Sequence, residues 1–177
     1  MRVCPLASGS SGNVTWIEGN EGAILVDAGL PSSQIRDLVS MAGLDLARLK
    51  AVFITHEHAD HWRGADGLGK DLGIPIFLTA GTARSLEGRL GKTVKTSMIQ
   101  PGNPVTLAGM VIHPHAVIHD AREPVCYSIT EGDSCSAVVT DLGQPDAVTA
   151  QVLAKAQILL FEANYDPKML TEGPYPR

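Results

Sequence analysis

Residues 51–62 run Ala51-Val52-Phe53-Ile54-Thr55-His56-Glu57-His58-Ala59-Asp60-His61-Trp62, so an apolar stretch empties into three histidines and an aspartate within six positions. Ala51 to Ile54 is a short continuous apolar run of the kind that forms a buried strand. Imidazoles crowded at the mouth of such a strand repel one another when protonated and are weakly satisfied when neutral; a bound cation relieves both conditions. His56 and His58 are two apart, so they project to the same side while the chain stays extended. Asp60 and His61 follow where the chain turns into a helix and address a second position close to the first. Four nitrogen and oxygen donors in six residues exceed what one catalytic ion takes from one segment, because such a site keeps a position open for water. The pattern predicts two adjacent metal ions. A surface histidine cluster or a capped helix start is the competing reading, and the strand leading into His-x-His-x-Asp-His weighs against it.

Further segments share the same character. Asp27 ends the run Leu25-Val26, where an unpaired carboxylate is costly to desolvate and therefore needs a partner. Asp141 follows Ala137-Val138-Val139-Thr140, again an acidic group at a strand's exit. His113, His115 and His119 fall on or just after another strand, and all three share one face if that strand stays regular, so spacing does not choose among them. The loop Ser8 to Asn13 carries glycines at 9 and 12, which let main-chain N–H groups approach an anion. A plain turn explains its composition equally well.

Thr55-His56-Glu57-His58-Ala59-Asp60-His61 resembles the signature of the metallo-β-lactamase superfamily of dinuclear metallohydrolases. Leu6-Ala7-Ser8-Gly9-Ser10-Ser11-Gly12-Asn13, Leu25-Val26-Asp27-Ala28-Gly29, His119-Asp120-Ala121, Thr140-Asp141-Leu142-Gly143 and Glu162-Ala163-Asn164 are similar to the blocks of its YycJ-type branch, also called WalJ-type. The resemblance runs from Leu6 to Arg177 and implies a four-layer αββα sandwich of α/β class. It assigns His56, His58 and His119 to one ion, Asp60 and His61 to the other, and Asp141 to a bridging position. It implies that Asp27 and Thr55 support the histidine loop without binding metal, and it places Ser10, Ser11, Gly12 and Asn13 at the rim of the active site, in reach of substrate. His113 and His115 are left as packed or exposed histidines.

Two departures from the family pattern stand out. The superfamily completes its second ion with a later histidine, and none follows His119. The expectation is a chain cut short at Arg177, lacking that ligand and the closing elements of the second sheet. Tyr165 stands where the branch typically carries histidine after Glu-Ala-Asn.

The ligand mixture of imidazole and carboxylate suits two Zn2+ ions, with Mn2+ or iron as alternatives. The activity implied is that of a metal-dependent hydrolase, a phosphodiesterase acting as an exonuclease on DNA, with Asp60 and Asp141 as catalytic carboxylates. Hydrolysis of a small ester, thioester or lactam is the alternative within enzymes. A low-turnover metal-binding module in regulation is the alternative from another class.

The 177 residues, 44% of them hydrophobic, suit a single domain spanning 1–177 with a substantial core. No apolar run approaches the roughly 18 to 20 residues of a membrane span, and the N-terminus is too short for a signal-peptide core, so a cytoplasmic location is expected. Cys4, Cys126 and Cys135 are odd in number and widely spaced, which reads as reduced thiols rather than a disulfide framework. A net charge of -5 discourages indiscriminate binding to nucleic acid but does not exclude a phosphate substrate, since a dinuclear site concentrates positive charge of its own. Arg84, Arg89, Lys92 and Lys95 make a basic cluster diluted by Glu87, a pattern typical of a solvated face, with a track for a nucleic-acid backbone as the alternative.

Periodicity predicts strands at 3–7, 14–18, 23–26, 51–54, 74–78, 105–107, 110–117, 125–129 and 137–139, and helices after Pro31 up to Gly43, over 64–72 and over 82–90. Strand, helix and strand in succession imply layered α and β structure.

Overall fold

A computed structural model of the protein describes residues 1–143 and 146–161. The 162–164 block, Tyr165 and the closing segment up to Arg177 lie outside the described residues.

Two sheets face each other. The first has the order β1 (Arg2–Ala7), β2 (Val14–Glu18), β3 (Ala23–Val26), β4 (Leu49–Phe53), β5 (Ile76–Thr79), β6 (Thr96–Ile99). Its first three strands form an antiparallel meander, and β3 to β6 run parallel. The second sheet is ordered β11 (Ile158–Phe161), β10 (Ser134–Val139), β9 (Val125–Glu131), β8 (Met110–Ala116), β7 (Val105–Leu107), antiparallel except where β10 meets β11. Helices α1 (Ser32–Met41), α2 (Ala59–Trp62), α3 (Ala65–Leu72), α4 (Ala80–Ser85) and α5 (Ala147–Lys155), with a single 3-10 turn at Leu46–Arg48, complete the described elements.

Three separate cores make this a layered sandwich. Trp16, Leu25, Val52, Ile54 and Ile76 pack with Ile35 and Val39 of α1 and Leu68 of α3 on the outer face of the first sheet. Ile17, Ile24, Val26 and Phe53 meet Ile112, Tyr127, Ile129 and Val138 between the sheets. Cys126, Ala137 and Val139 meet Val152 of α5 on the outer face of the second. Neighbouring residues of one strand thus enter different cores, which is why β3 and β4 read as unbroken apolar runs: both faces are buried. Phe53 stacks on Phe77 at 4.5 Å and meets the edge of Tyr127 at 5.7 Å, joining the sheets at their centre. The α/β sandwich is the expected class, and the described helices cover an outer face of each sheet.

Some elements differ from the sequence reading. The helix expected over 82–90 ends at Ser85, and the following turns carry Gly88 at φ 76°, which ends the helical path. Strand β6 escaped notice because its TSMI sequence is half exposed and weakly apolar, and α5 and β11 were not anticipated. The three cysteines are free thiols. Burial pushes the Cys126 thiol up to about 12, which leaves it inert. Among the described residues no helix is long and apolar enough to cross a membrane.

Candidate metal centre

The exits of β3, β4, β8 and β10 converge at one edge of the sandwich and bring Asp27, Thr55 to His61, His119 and Asp141 together. After Phe53 the chain stays extended as far as His58, whose φ of −64° and ψ of 142° make it the residue preceding α2. His56 and His58 therefore keep the alternation of a strand, while Asp60 and His61 occupy the first turn of a helix. That turn is laced in place by backbone hydrogen bonds: Asn13 N–H donates to Asp60 O at 2.8 Å, Ala28 N–H to His61 O at 2.7 Å, and Gly29 N–H to Asn13 O at 2.9 Å. Asp27 and Asp141 both hold a left-handed backbone, φ 61° and 51°, at the points where their strands give way to the site. Such conformations cost a non-glycine residue free energy and concentrate at functional sites.

Hydrogen bonding behind the imidazoles fixes which nitrogens face inward. Asp27 is 1% exposed, and its carboxylate accepts from Thr55 N–H at 2.8 Å and from the Thr55 hydroxyl at 2.9 and 3.0 Å. His61 Nδ1 lies 2.7 Å from the same carboxylate, an acceptor only, so Nδ1 carries the proton and Nε2 faces Asp60 and Asp141. The Thr55 hydroxyl has spent its proton on Asp27 and so accepts from His56 Nδ1 at 3.0 Å, leaving the lone pair of His56 Nε2 inward. His119 Nδ1 lies 3.2 Å from Asp120 Oδ1, which turns its Nε2 inward in the same manner. Carboxylates and hydroxyls behind ligating histidines set tautomer and orientation in this way.

The inward nitrogens meet. His56 Nε2 is 2.9 Å from His58 Nδ1, which is 3.3 Å from His119 Nε2. His58 has one proton at most to offer two lone pairs, so neutral imidazoles alone leave acceptor facing acceptor. A cation among the three satisfies all of them. On the neighbouring side Asp141 Oδ2 lies 2.7 Å from His61 Nε2 and 3.8 Å from His56 Nε2, and Asp60 Oδ2 lies 3.3 Å from His61 Nε2. The donors form two adjoining groups, His56, His58, His119 and His56, His61, Asp141, with Asp60 beside the second. Imidazole nitrogens and carboxylate oxygens in this mixture fit divalent ions such as zinc.

Electrostatics agree with the geometry. Burial, then the charge on His61, pulls His56 down to about 2, so it presents a neutral ring. Burial also opposes charge on His61, but Asp27, reinforced by hydrogen bonds to Asp141, Asp27 and Asp60, outweighs it and pushes His61 up to about 12. Burial raises Asp141, and the His61 hydrogen bond and charge more than reverse this, holding it at about 2. Without an ion, His61 is therefore an imidazolium among three carboxylates, Asp27 at Nδ1 and Asp60 and Asp141 at Nε2, and an ion bound to Nε2 would take the place of a proton. Since that proton stays on far above neutral pH in the ion-free protein, ion uptake should release about one proton from this group at pH 7. Affinity should rise with pH accordingly. Calorimetric titration of zinc in buffers of differing ionisation enthalpy reads the proton count directly; a count of zero would contradict it.

Each expected site residue in the described part can be placed. His113 and His115 lie on β8, which ends at Ala116, so the regular strand needed to align them with His119 does not exist; His115 Nε2 instead pairs with Ser128 Oγ at 2.8 Å. Ser10 and Ser11 are exposed in the loop after β1. Asn13 is 7% exposed, and its amide nitrogen lies 3.3 Å from Asp60 Oδ2 and 3.1 Å from His61 Nε2. It therefore stands behind the donors as well as at the end of the loop. Sequence reasoning gave Glu57 no role, although its place between two histidines was a signal.

A sandwich of this layering, with paired histidine and carboxylate donors at the strand exits, defines a metallohydrolase class. The family described as the metallo-beta-lactamase superfamily matches residues 7–145, and this chain belongs to it. Within the superfamily, the chain is 31% identical over 173 residues to exodeoxyribonuclease YycJ of Bacillus anthracis, covering 97% of this chain and 66% of that protein. It is 33% identical over 174 residues to exodeoxyribonuclease WalJ of Streptococcus pneumoniae, covering 96% of this chain and 65% of that protein. The chain thus spans just under two thirds of the length of these relatives. A metallo-beta-lactamase of Cronobacter sakazakii superposes with a TM-score of 0.69 at 18% identity, over 90% of this chain and 74% of that one. The metallo-beta-lactamase fold protein YhfI of Bacillus subtilis superposes at 0.61 with 22% identity, over 78% of this chain and 62% of that one. These two likenesses concern the fold.

Proposed function

We propose that the protein is a phosphodiesterase that uses two divalent ions, zinc foremost, to release nucleotides from a DNA end. The convergence of His56 Nε2, His58 Nδ1 and His119 Nε2 beside Asp141 carries the hydrolase part of this reading. The relatives named exodeoxyribonucleases, at 31% and 33% identity over most of the chain, support the substrate class.

His56, His58 and His119 would hold one ion and Asp60 and His61 the other, with Asp141, whose Oδ2 faces both groups, available to either. When bound, such a pair lowers the pKa of water to near neutral and offsets charge on the attacking and departing oxygens. Asp27 and Thr55 keep His56 and His61 in the tautomers that present Nε2. Asp60, 27% exposed at its side chain and steadied by the Asn13 amide, is the carboxylate placed to orient the attacking water and accept its proton at Oδ2. The water oxygen bonds to phosphorus, the bond from phosphorus to the departing sugar oxygen breaks, and the proton ends on that oxygen. Ser10 and Ser11, exposed beside Asn13, form the rim a phosphate group meets first.

Zinc- or manganese-loaded protein should release mononucleotides from end-labelled duplex or single-stranded DNA, and chelation should abolish the release. A generic aryl phosphodiester and an aryl thioester run alongside separate the chemistries. Turnover of the thioester alone would retire the nuclease reading in favour of acyl hydrolysis. Inertness toward all three with both ions bound would leave a binding module.

A further inference from the structure

Glu57 sits between two of the converging histidines, yet its side chain turns away from them. Its Oε1 accepts the backbone N–H of Arg122 at 2.8 Å and the hydroxyl of Ser85 at 3.2 Å. Its own carbonyl accepts the indole N–H of Trp62 at 3.0 Å. Arg122 lies three residues beyond His119, in the connection between β8 and β9. That connection is pinned a second time next door, where Glu123 Oε2 accepts Gly81 N–H at 2.5 Å and Glu123 O accepts the Thr79 hydroxyl at 2.9 Å. Val125 N–H then donates to Thr55 O at 3.0 Å.

The topology explains why such a tie is needed. His56 and His58 leave the first sheet and His119 leaves the second, and no strand pairing links the two sheets. His119 stands three residues past the end of β8, where the backbone is held only at single points such as Gly143 N–H donating to Ile118 O at 2.8 Å. Apart from the imidazoles themselves, Glu57 is the side chain among the described residues that hydrogen-bonds the histidine segment to the 117–124 connection. A carboxylate accepting a main-chain N–H makes a short, strong, directional bond.

We propose that Glu57 is a positioning residue for the three-imidazole ion position: its carboxylate holds the His119 connection against the His56–His58 segment so that the third nitrogen arrives within ligating distance. This rests on the reading of the site as a metal centre and adds a residue that touches neither ion nor substrate. Removing the acceptor takes away one of the anchors of the connection that carries His119 and removes no donor from His56, His58 or the Asp60–His61–Asp141 group. The loss therefore falls on one ion position of the two.

The test compares Glu57→Ala, Glu57→Gln and Ser85→Ala with the unaltered protein. Zinc affinity and stoichiometry are measured by competition with a chromophoric chelator, and the ligand field by the visible spectrum of the cobalt-loaded protein. Glu57→Ala should weaken one of the two ions by about 10- to 100-fold, the range for residues that orient ligands from behind, and should alter the cobalt bands. Glu57→Gln, which keeps an amide oxygen for Arg122 N–H, should restore affinity to within about threefold. Ser85→Ala, which leaves the Arg122 bond intact, should behave like the unaltered protein and provides the folded comparison if Glu57→Ala is unstable. Two tightly bound ions and an unchanged spectrum in Glu57→Ala would overturn the inference while leaving the metal centre standing. Equal damage in Glu57→Gln and Glu57→Ala would overturn it also. Failure of the unaltered protein to take up any ion would overturn the metal centre, and this inference with it.

Discussion

Asp141→Ala should lower the proposed DNA hydrolysis by about a thousandfold or more, with the zinc content of the loaded protein falling from the proposed two ions towards one. The size of the effect follows from position. Asp141 Oδ2 is 2.7 Å from His61 Nε2 and 3.8 Å from His56 Nε2, so one oxygen faces both donor groups and its removal disturbs both. Loss of this carboxylate also strips His61 of one of the charges that hold its proton, so the variant's second ion position lacks a ligand and has an altered imidazole. His58→Ala should show a loss of similar size through the other position, because it removes the nitrogen that His56 and His119 both face. His115→Ala should keep activity within about twofold, since that ring pairs with Ser128 away from the donors. Steady-state rates and metal analysis on the same samples check all three. Full activity in Asp141→Ala would remove the two-ion mechanism from consideration.

Gly29→Ala should destabilise the protein by more than about 4 kcal/mol or prevent folding, an effect far outside the ordinary range for one added methyl group. Gly29 lies where three backbone segments touch. A Cβ there would fall within the carbonyl of Asp60 and 2.6 Å from Asn13 N, and these are main-chain atoms that cannot swing aside. The same contact holds the Asp60–His61 turn in register through Asn13 N–H to Asp60 O and Gly29 N–H to Asn13 O. Any folded fraction should therefore bind its second ion poorly, even though the substitution adds no charge and removes no ligand. Gly43→Ala is the comparison, with φ 65° and nothing within 4 Å of an added Cβ. It should cost about 1 kcal/mol from backbone strain alone. Urea midpoints for the two variants separate the effects; similar midpoints would show that the Gly29 contact yields.

The sequence revealed most where chemistry and periodicity coincide. His56, His58, Asp60 and His61 could be read as donors because an apolar strand delivers them at alternating spacing, and the structure keeps that spacing up to the start of α2. Asp27 was legible as a carboxylate in need of a partner, since it ends a run with no polar residue nearby. The histidines of β8 were not separable by spacing, because where that strand stops depends on its pairing with β9 and not on the residues themselves. Asn13 was visible as the end of a glycine-rich loop, but its amide reaches Asp60 across 47 residues, and contacts of that kind leave no local pattern. Strand β6 was missed for a related reason: its half-exposed sequence is held by pairing with β5 more than by its own apolar character.

The candidate donors divide unevenly along the chain. Four of the six donors follow the fourth strand of the first sheet, and the remaining two arrive from the second sheet, at 119 and 141. During synthesis the N-terminal portion emerges first, so a nascent polypeptide that has completed the first sheet carries the histidine motif without His119 or Asp141. Assembly of the full donor set thus waits on docking of the second sheet, and a half-made copy on the ribosome carries only the four donors of the histidine motif.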